Sequence, residues 1–276
     1  MSFIKKISYN PTISKIVWKL HIAGILRYIY FILNKPSNGK IEINISGVNA
    51  IFKVFTPWEL RALEPSGDFG REKNILELLI SRVRPGEVVL DVGSNLGIFT
   101  ILLAKKVGQS GRVIAVEPGK KIFLHFQENV KLNNLKNITS FNLALGNKEE
   151  ETKLFLGQVA GASSMAYKPD GSEGFEIIKV KTADQLIKEN NLPIPNVVKI
   201  DVEGFEYNVI KGMSSTLNNP ECRMICCEIH TQMLPDGVSA EKIIDLLKSL
   251  GFNKIENYKR GTAEFHIFAQ KLLKEI

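Results

Sequence analysis

The run Val89-Leu90-Asp91-Val92-Gly93-Ser94-Asn95-Leu96-Gly97-Ile98-Phe99-Thr100 passes from a short apolar stretch through a glycine turn into a helical pattern. Glycines allow positive φ and a close approach of ligand to backbone, and a helix start presents free N–H groups to a polar ligand end. Glu117 follows Gly93 by 24 residues and closes the next apolar run, where a carboxylate can hydrogen-bond both ribose hydroxyls of an adenosine. Its neighbour Pro118 fixes the chain direction there. A second group of candidates ends two later apolar runs. Val198-Lys199-Ile200-Asp201-Val202-Glu203-Gly204-Phe205-Glu206 sets Asp201 and Glu203 two apart, on one face while the chain stays extended, and Glu228-Ile229-His230 repeats that period. If these runs are neighbouring strands, about 4.8 Å apart, Asp201, Glu203, Glu228 and His230 form one cluster. Carboxylates beside His230 would raise its pKa toward that of a useful general base, or all four side chains would bind a divalent ion. The competing explanation is that such residues only cap helices or satisfy one another, and it weighs most on Glu203 and Glu206.

Strands that end together are needed to assemble these groups. Periodicity predicts a helix over 74–83, stopped at Arg84-Pro85-Gly86, and a strand buried on both faces over 88–92. Helix (98–107), strand (113–116), helix (121–132) and strand (138–143) then alternate, which implies a parallel sheet with right-handed crossovers. Two β-like runs, 152–156 and 175–180, flank a stretch rich in Gly, Ser and Ala from Gly157 to Gly174, a candidate lid or substrate loop. Alternation resumes with a strand over 197–200, a helix from 205 to about 215, a strand over 224–229 and a helix over 240–250. The last runs, 252–256 and 265–269, are joined by a short polar link through Lys259-Arg260-Gly261 and read as an antiparallel hairpin at the sheet edge. The fold class is therefore α/β. Ahead of it, 41–45 and 50–55 alternate as two strands around Ser46-Gly47.

The composition, 44% hydrophobic and 24% charged, is that of a folded globular chain and excludes disorder as the default. The net charge of +7 is confined to one end: residues 1–40 hold Lys5, Lys6, Lys15, Lys19, Arg27, Lys35 and Lys40 and no acid, and beyond them the charges balance. Residues 16–33 are largely apolar, but Lys19, His21 and Arg27 interrupt them. A central charge costs about 2.5–3.5 kcal/mol on insertion, which argues against a spanning helix. The arm reads as a helix that either caps the core or lies on anionic lipid, with Trp18, Tyr28 and Tyr30 suited to headgroup depth. Cys222, Cys226 and Cys227 crowd one apolar run without zinc spacing and read as buried thiols of a reducing, cytoplasmic compartment. The chain divides into the basic arm (1–40), a small β element (41–70) and the α/β domain (71–276).

A glycine turn and an acid serve dinucleotides as well as S-adenosylmethionine. Three features favour the latter: Asp91 directly ahead of the turn suits a cationic ligand end and would repel a pyrophosphate, the spacing is Gly-x-x-x-Gly with Asn95 inside it, and the chain closes on a hairpin. A nicotinamide-dependent oxidoreductase and a non-catalytic membrane-associated binding module are the rivals. Nucleic acid is disfavoured as a partner because no basic and aromatic platform appears beyond the arm.

In the order Leu90–Thr100, Glu117-Pro118, Ala144-Leu145-Gly146, Gly161-Ala162-Ser163-Ser164, 199–206 with Lys211-Gly212, and Glu228-Ile229-His230, the sequence resembles the FkbM family of S-adenosylmethionine-dependent methyltransferases over roughly residues 70–270. The Lys-Ile-Asp-Val-Glu-Gly-Phe-Glu segment is the specific part of the match. The resemblance implies a class I, Rossmann-like, mostly parallel seven-stranded sheet with an antiparallel last strand, and O-methylation of a small-molecule or glycan hydroxyl. Asp91, Gly93, Asn95, Gly97 and Glu117, with Asn142 or Ala144 near adenine, are then expected at the cofactor, and Asp201, Glu228 and His230 around the acceptor. Whether a metal at Asp201, Glu203, Glu228 and His230 takes part is left open by the sequence.

Overall fold

A computed structural model describes residues 23–64, 68–157, 163–166, 174–259 and 264–272. Most of the basic arm, Trp18 included, most of the 157–174 stretch and the 260–263 link lie outside the described residues.

Helix α1 (Ala23–Asn34) precedes a hairpin of β1 (Lys40–Ile45) and β2 (Val48–Lys53), closed by Ser46 and Gly47 at φ 50° and 83°. Positive φ at both central residues matches the strand twist. The outer edge of β2 is satisfied by side-chain amides: Asn133 Oδ1 and Asn129 Oδ1 accept from the backbone N–H of Ile51 and Lys53 at 3.0 and 2.9 Å. Helix α2 (Pro57–Leu63) was not anticipated, although Thr56-Pro57-Trp58-Glu59 spells its start: Thr56 and Glu59 form a reciprocal capping box and Pro57 opens the helix. Helix α3 (Asp68–Arg82) starts six residues earlier than its apolar period suggested.

The core then follows as β3 (Val88–Val92), α4 (Ile98–Val107), β4 (Arg112–Val116), α5 (Lys120–Leu132), β5 (Ile138–Phe141), β6 (Ala144–Leu145), β7 (Glu150–Phe155), β8 (Phe175–Lys181), α6 (Ala183–Glu189), β9 (Val197–Ile200), α7 (Glu206–Lys211), α8 (Ser214–Asn218), β10 (Met224–His230), α9 (Ala240–Ser249), β11 (Lys254–Lys259) and β12 (Glu264–Gln270). Seven strands form one sheet in the order β11-β12-β10-β9-β3-β4-β5, parallel from β10 to β5, with β12 antiparallel to both of its neighbours. This is the mostly parallel sheet with an antiparallel last strand that the sequence led us to expect, but β12 lies inside the sheet and β11 forms the edge. The strand order reverses between β3 and β9, where open α/β sheets leave a crevice at their carboxyl ends.

Two expected elements are divided. The strand expected over 138–143 stops at Phe141 because Asn142 Nδ2 donates to the carbonyls of Glu117 and Pro118, both at 2.9 Å, and the chain leaves to pair β6 with β8 in a separate sheet, β6-β8-β7. The helix expected from 205 to about 215 breaks into α7 and α8 at Gly212, whose position leaves no room for a Cβ: one would fall 1.8 Å from the carbonyl oxygen of Gly146.

Each sheet face has its own core. Val89, Val113, Val197, Met224 and Cys226 pack against α3, α4 and the β1–β2 hairpin, while Leu90, Ile114, Val198, Ile200, Ile225 and Cys227 pack against α6 to α9. Burial of each such side chain contributes about 1.5–3 kcal/mol, so register is strongly held. Alternation along β3, β9 and β10 then sends Asp91, Lys199, Asp201, Glu228 and His230 to the α4 side, at the carboxyl edge. Among the described residues no helix is long and apolar enough to cross a membrane. The three cysteines are free and buried.

Candidate active site

A cavity of about 270 Å³ opens over the crevice between β3 and β9. Its wall runs from Gly93, Asn95 and Glu117 past Ala144 to Asp201 and Glu203, and Leu154, Ser163 and Met165 of the β7–β8 side cover it.

The turn after β3 is held by its own backbone. The N–H groups of Gly93 and Ser94 donate to the Val116 carbonyl, that of Gly97 to the Ser94 carbonyl, and that of Asn95 to Glu117 Oε2 at 2.9 Å. These donors, expected to meet a ligand, are spent inside the chain. The glycines answer packing: a Cβ on Gly93, at φ 82°, would fall 1.9 Å from the Asp201 carbonyl oxygen, and one on Gly97, at φ 87°, 2.4 Å from the Phe126 ring. Gly97 therefore shapes the turn from behind and does not reach the cavity. What faces the cavity is acceptor-rich. Glu117, pushed up to about 7 by burial against the pull of N–H bonds from Gly119 and Asn95, stands in the wall beside Asn95, whose Oδ1 is buried without a hydrogen-bond partner. Ala144 lines the wall as well; Asn142 does not, and instead props the backbone of Glu117 and Pro118.

Asp91 is fully buried beneath this turn. Its Oδ2 accepts from Thr100 Oγ1 at 2.5 Å and its Oδ1 lies 3.5 Å from Lys199 Nζ, so its cationic neighbour is the chain's own lysine, a residue to which sequence reasoning gave no role. Lys199 Nζ also donates to the Gly93 carbonyl at 3.2 Å and to Asp201 Oδ2 at 3.3 Å. Burial opposes its charge, yet Asp201 and Asp91 hold the ammonium above its usual range. The lysine thus ties the glycine turn to the end of β9.

At the other end of the cavity, parallel pairing of β9 and β10 brings the expected cluster together. Asp201 Oδ1, Glu203 Oε2 and Glu228 Oε1 lie 3.9, 3.7 and 3.9 Å from His230 Nε2, and Nδ1 of the same ring donates to Glu206 Oε1 at 2.7 Å. Glu206 also accepts from the Gly204 N–H at 2.9 Å, so it both caps its turn and orients the histidine. Burial works against a charged His230, but the Glu206 hydrogen bond and the charges of Asp201 and Glu203 outweigh it and raise its pKa to about 10. It is an imidazolium at neutral pH, past the range useful to a general base. Burial pushes Glu203 up to about 8. Its backbone sits at φ 50°, a conformation uncommon outside glycine, and its carbonyl accepts from Ser164 Oγ at 2.7 Å. Asp201 and Glu203 face the cavity; His230 backs them, and Glu228 lies deeper, 3.3 Å from Nε2 of His266 across β12. His266 escaped the sequence reading because only the β10–β12 register, Glu228 opposite His266, reveals it.

Asp201, Glu203 and His230 each offer a ligand atom within 4.8 Å of the others. Ligation there would require His230 Nε2 to give up the proton that the surrounding carboxylates favour.

Comparison with known proteins gives the family. Residues 91–254 match the methyltransferase FkbM domain. The chain is 29% identical over 195 residues to the hexuronic acid methyltransferase AglP of Haloferax volcanii, covering 71% of this chain and 76% of that protein. It is 26% identical over 203 residues to the 31-O-demethyl-FK506 methyltransferase FkbM of Streptomyces tacrolimicus, covering 63% and 75%. Methyltransferase 1 of Beauveria bassiana is 30% identical over 145 residues, covering 45% and 57%. With the match spanning both the glycine turn and the carboxylate cluster, the chain belongs to the FkbM methyltransferase family and is an S-adenosylmethionine-dependent methyltransferase.

Proposed function

We propose that the enzyme methylates a hydroxyl oxygen of a small molecule or glycan, with cofactor and acceptor meeting in the one cavity that joins Asn95 and Glu117 to Asp201 and Glu203. That continuity carries the reading. Glu117, Asn95, Gly93 and Ala144 would hold the adenosyl group: the orphaned Asn95 Oδ1 and the Glu117 carboxyl are acceptors, as a ligand with hydroxyl and ammonium donors requires. When bound, the sulfonium supplies a methyl group activated for in-line displacement. The chain's own task is then to orient the acceptor and take its proton. We assign proton acceptance to Glu203, whose pKa of about 8 suits it to a base near neutrality, with Asp201 beside it to align the hydroxyl. His230, with Glu228 and Glu206 around it, serves as the fixed cation that holds the two cavity carboxyls in place. The name of one relative, which acts on a 31-O-demethyl compound, supports an oxygen acceptor, and that of another, a hexuronic acid methyltransferase, supports an acceptor of the sugar class. We extend the reading to a peripheral membrane contact through residues 1–40, supported by their bases and lack of acids.

A nicotinamide dinucleotide would need free amides for its pyrophosphate, and the N–H groups of Gly93, Ser94, Asn95 and Gly97 are occupied. Incubation of the enzyme with labelled S-adenosylmethionine and fractionated glycans, lipids and small metabolites tests the proposal. Label should appear in a base-stable ether of one fraction; label only in amines, on carbon or in a base-labile ester would refute it.

A further inference from the structure

We propose that the enzyme docks on anionic lipid bilayers through the outward face of α1. Ile25, Tyr28, Ile29, Ile32 and Leu33 are 60, 59, 40, 60 and 67% exposed. Their spacing of three and one places them on a single stripe of the helix. The opposite side is anchored: Phe31 is buried in the core that includes the β1–β2 hairpin, and Tyr30 Oη donates to Glu64 Oε1 at 2.8 Å. Tyr30, expected from the sequence at headgroup depth, therefore faces inward, and the stripe cannot roll under without breaking that anchor. Contiguous exposed apolar side chains of this kind mark an interaction surface.

Charge selects the occupant. The stripe belongs to a 40-residue segment with seven basic residues and no acid. A second copy docked on it would set those bases against their like, whereas each basic residue near an anionic leaflet strengthens binding roughly fivefold. In the sequence Arg27 lies within the helix and Lys35 and Lys40 follow it, and bases next to an apolar stripe suit a helix that lies in the interface plane. The contact also has a geometric consequence: α1 rests on α2, and Thr56, Trp58 and Glu59 at the start of α2 line the cavity, so docking sets the cavity one short helix from the bilayer.

This inference rests on the membrane part of the proposed function and is independent of the methyl-transfer chemistry. The full chain is sedimented with vesicles of phosphatidylcholine alone, or with about one third phosphatidylglycerol, at low and high salt. Wild type should bind the anionic vesicles, and lose most of that binding at high salt. The combined variant Ile25→Ser, Ile32→Ser, Leu33→Ser should bind at least about tenfold more weakly, with unchanged melting temperature and cofactor affinity. A dye on Leu33→Cys, read separately in case the triple variant folds poorly, should shift its emission to the blue on contact. Wild type that ignores anionic vesicles overturns both this inference and the membrane reading while leaving methyl transfer standing. A triple variant that binds like wild type, or a dye that does not shift, overturns the role of the stripe alone. A wild-type dimer that the triple variant dissolves would give the face to a second copy and overturn it too.

Discussion

The two ends of the cavity occupy the same edge of one sheet, yet they are built by different forces. At the ends of β3 and β4 the backbone does the work: amide hydrogen bonds pin the Gly93–Gly97 turn and orient Glu117 through Asn95 and Gly119. At the ends of β9 and β10 side chains hold one another, and Asp201, Glu203, Glu206 and Glu228 surround His230. A site fixed largely by backbone hydrogen bonds tolerates loss of a side chain with loss of that side chain's contacts only. A site fixed by charge changes when any member changes protonation. Lys199 joins the two, donating to Gly93 on one side and Asp201 on the other.

The difference is broken most sharply at Glu203. Glu203→Gln should lower kcat about 10²–10⁴-fold while cofactor affinity measured by calorimetry stays near wild type; a kcat within threefold (about 0.7 kcal/mol) would remove Glu203 from the proton path. In wild type, kcat should rise with pH and level off above about 8, and that rise should vanish in the variant.

Next in size is His230→Gln, which leaves Glu206 buried without its partner and should cost about 3–5 kcal/mol of stability. The folded-state pKa of His230 is raised from 6.5 to about 10, so its stabilisation is complete below about pH 6.5 and is lost as pH rises to 10. Glu203 acts in the same direction. The unfolded chain gives up this proton near pH 4.5 and the fold keeps it to about 8, so stability falls across that window as well. Thermal unfolding of wild type followed from pH 5 to 10 should decline through both windows, and the total decline should be smaller in the variant, which lacks the His230 contribution. A wild-type profile that climbs instead would mean that His230 is neutral in the fold.

Glu117→Ala tests the backbone-held end. Cofactor should bind about 10–100-fold more weakly, the loss of charge-assisted hydrogen bonds, with kcat at saturating cofactor little changed. An equal loss in kcat would mean that the two ends are not separate. The smallest expected effect is none: activity after chelation and removal of bound divalent ions should equal that before, and a loss restored by added ion would show that a metal displaces the His230 proton.

Much of the backbone-held end was legible beforehand, because its signals are local. Gly93 and Gly97 at four-residue spacing and Glu117 closing the next strand follow from the geometry of a single strand-turn-helix-strand unit. Their reasons were less legible. The glycines are required by the Asp201 carbonyl and the Phe126 ring, both distant in sequence, and Asp91, read as a ligand contact, is spent on Thr100 and Lys199. The cluster at the other end was legible only in part. Period-two spacing put Asp201 with Glu203 and Glu228 with His230, but whether His230 would be a base or a fixed cation depends on how many carboxyls reach it. Glu206 arrives by a turn in the chain and His266 by antiparallel pairing, and neither is visible from spacing within one strand. Helix α2 was missed for a simpler reason, since its capping box was there to be read at Thr56 and Glu59.

Sequence alone determined the α/β alternation, the family resemblance and the placement of acids at strand ends, because each depends on residues within one element or on adjacent ones. The tertiary structure decided which strands are neighbours, and hence which acids surround His230, which glycines serve packing, and which face of α1 is left outward. Those outcomes depend on side chains brought within a few ångströms by segments as far apart in sequence as Asp91 and Lys199, and Coulomb and steric energies at such range have no counterpart in local spacing.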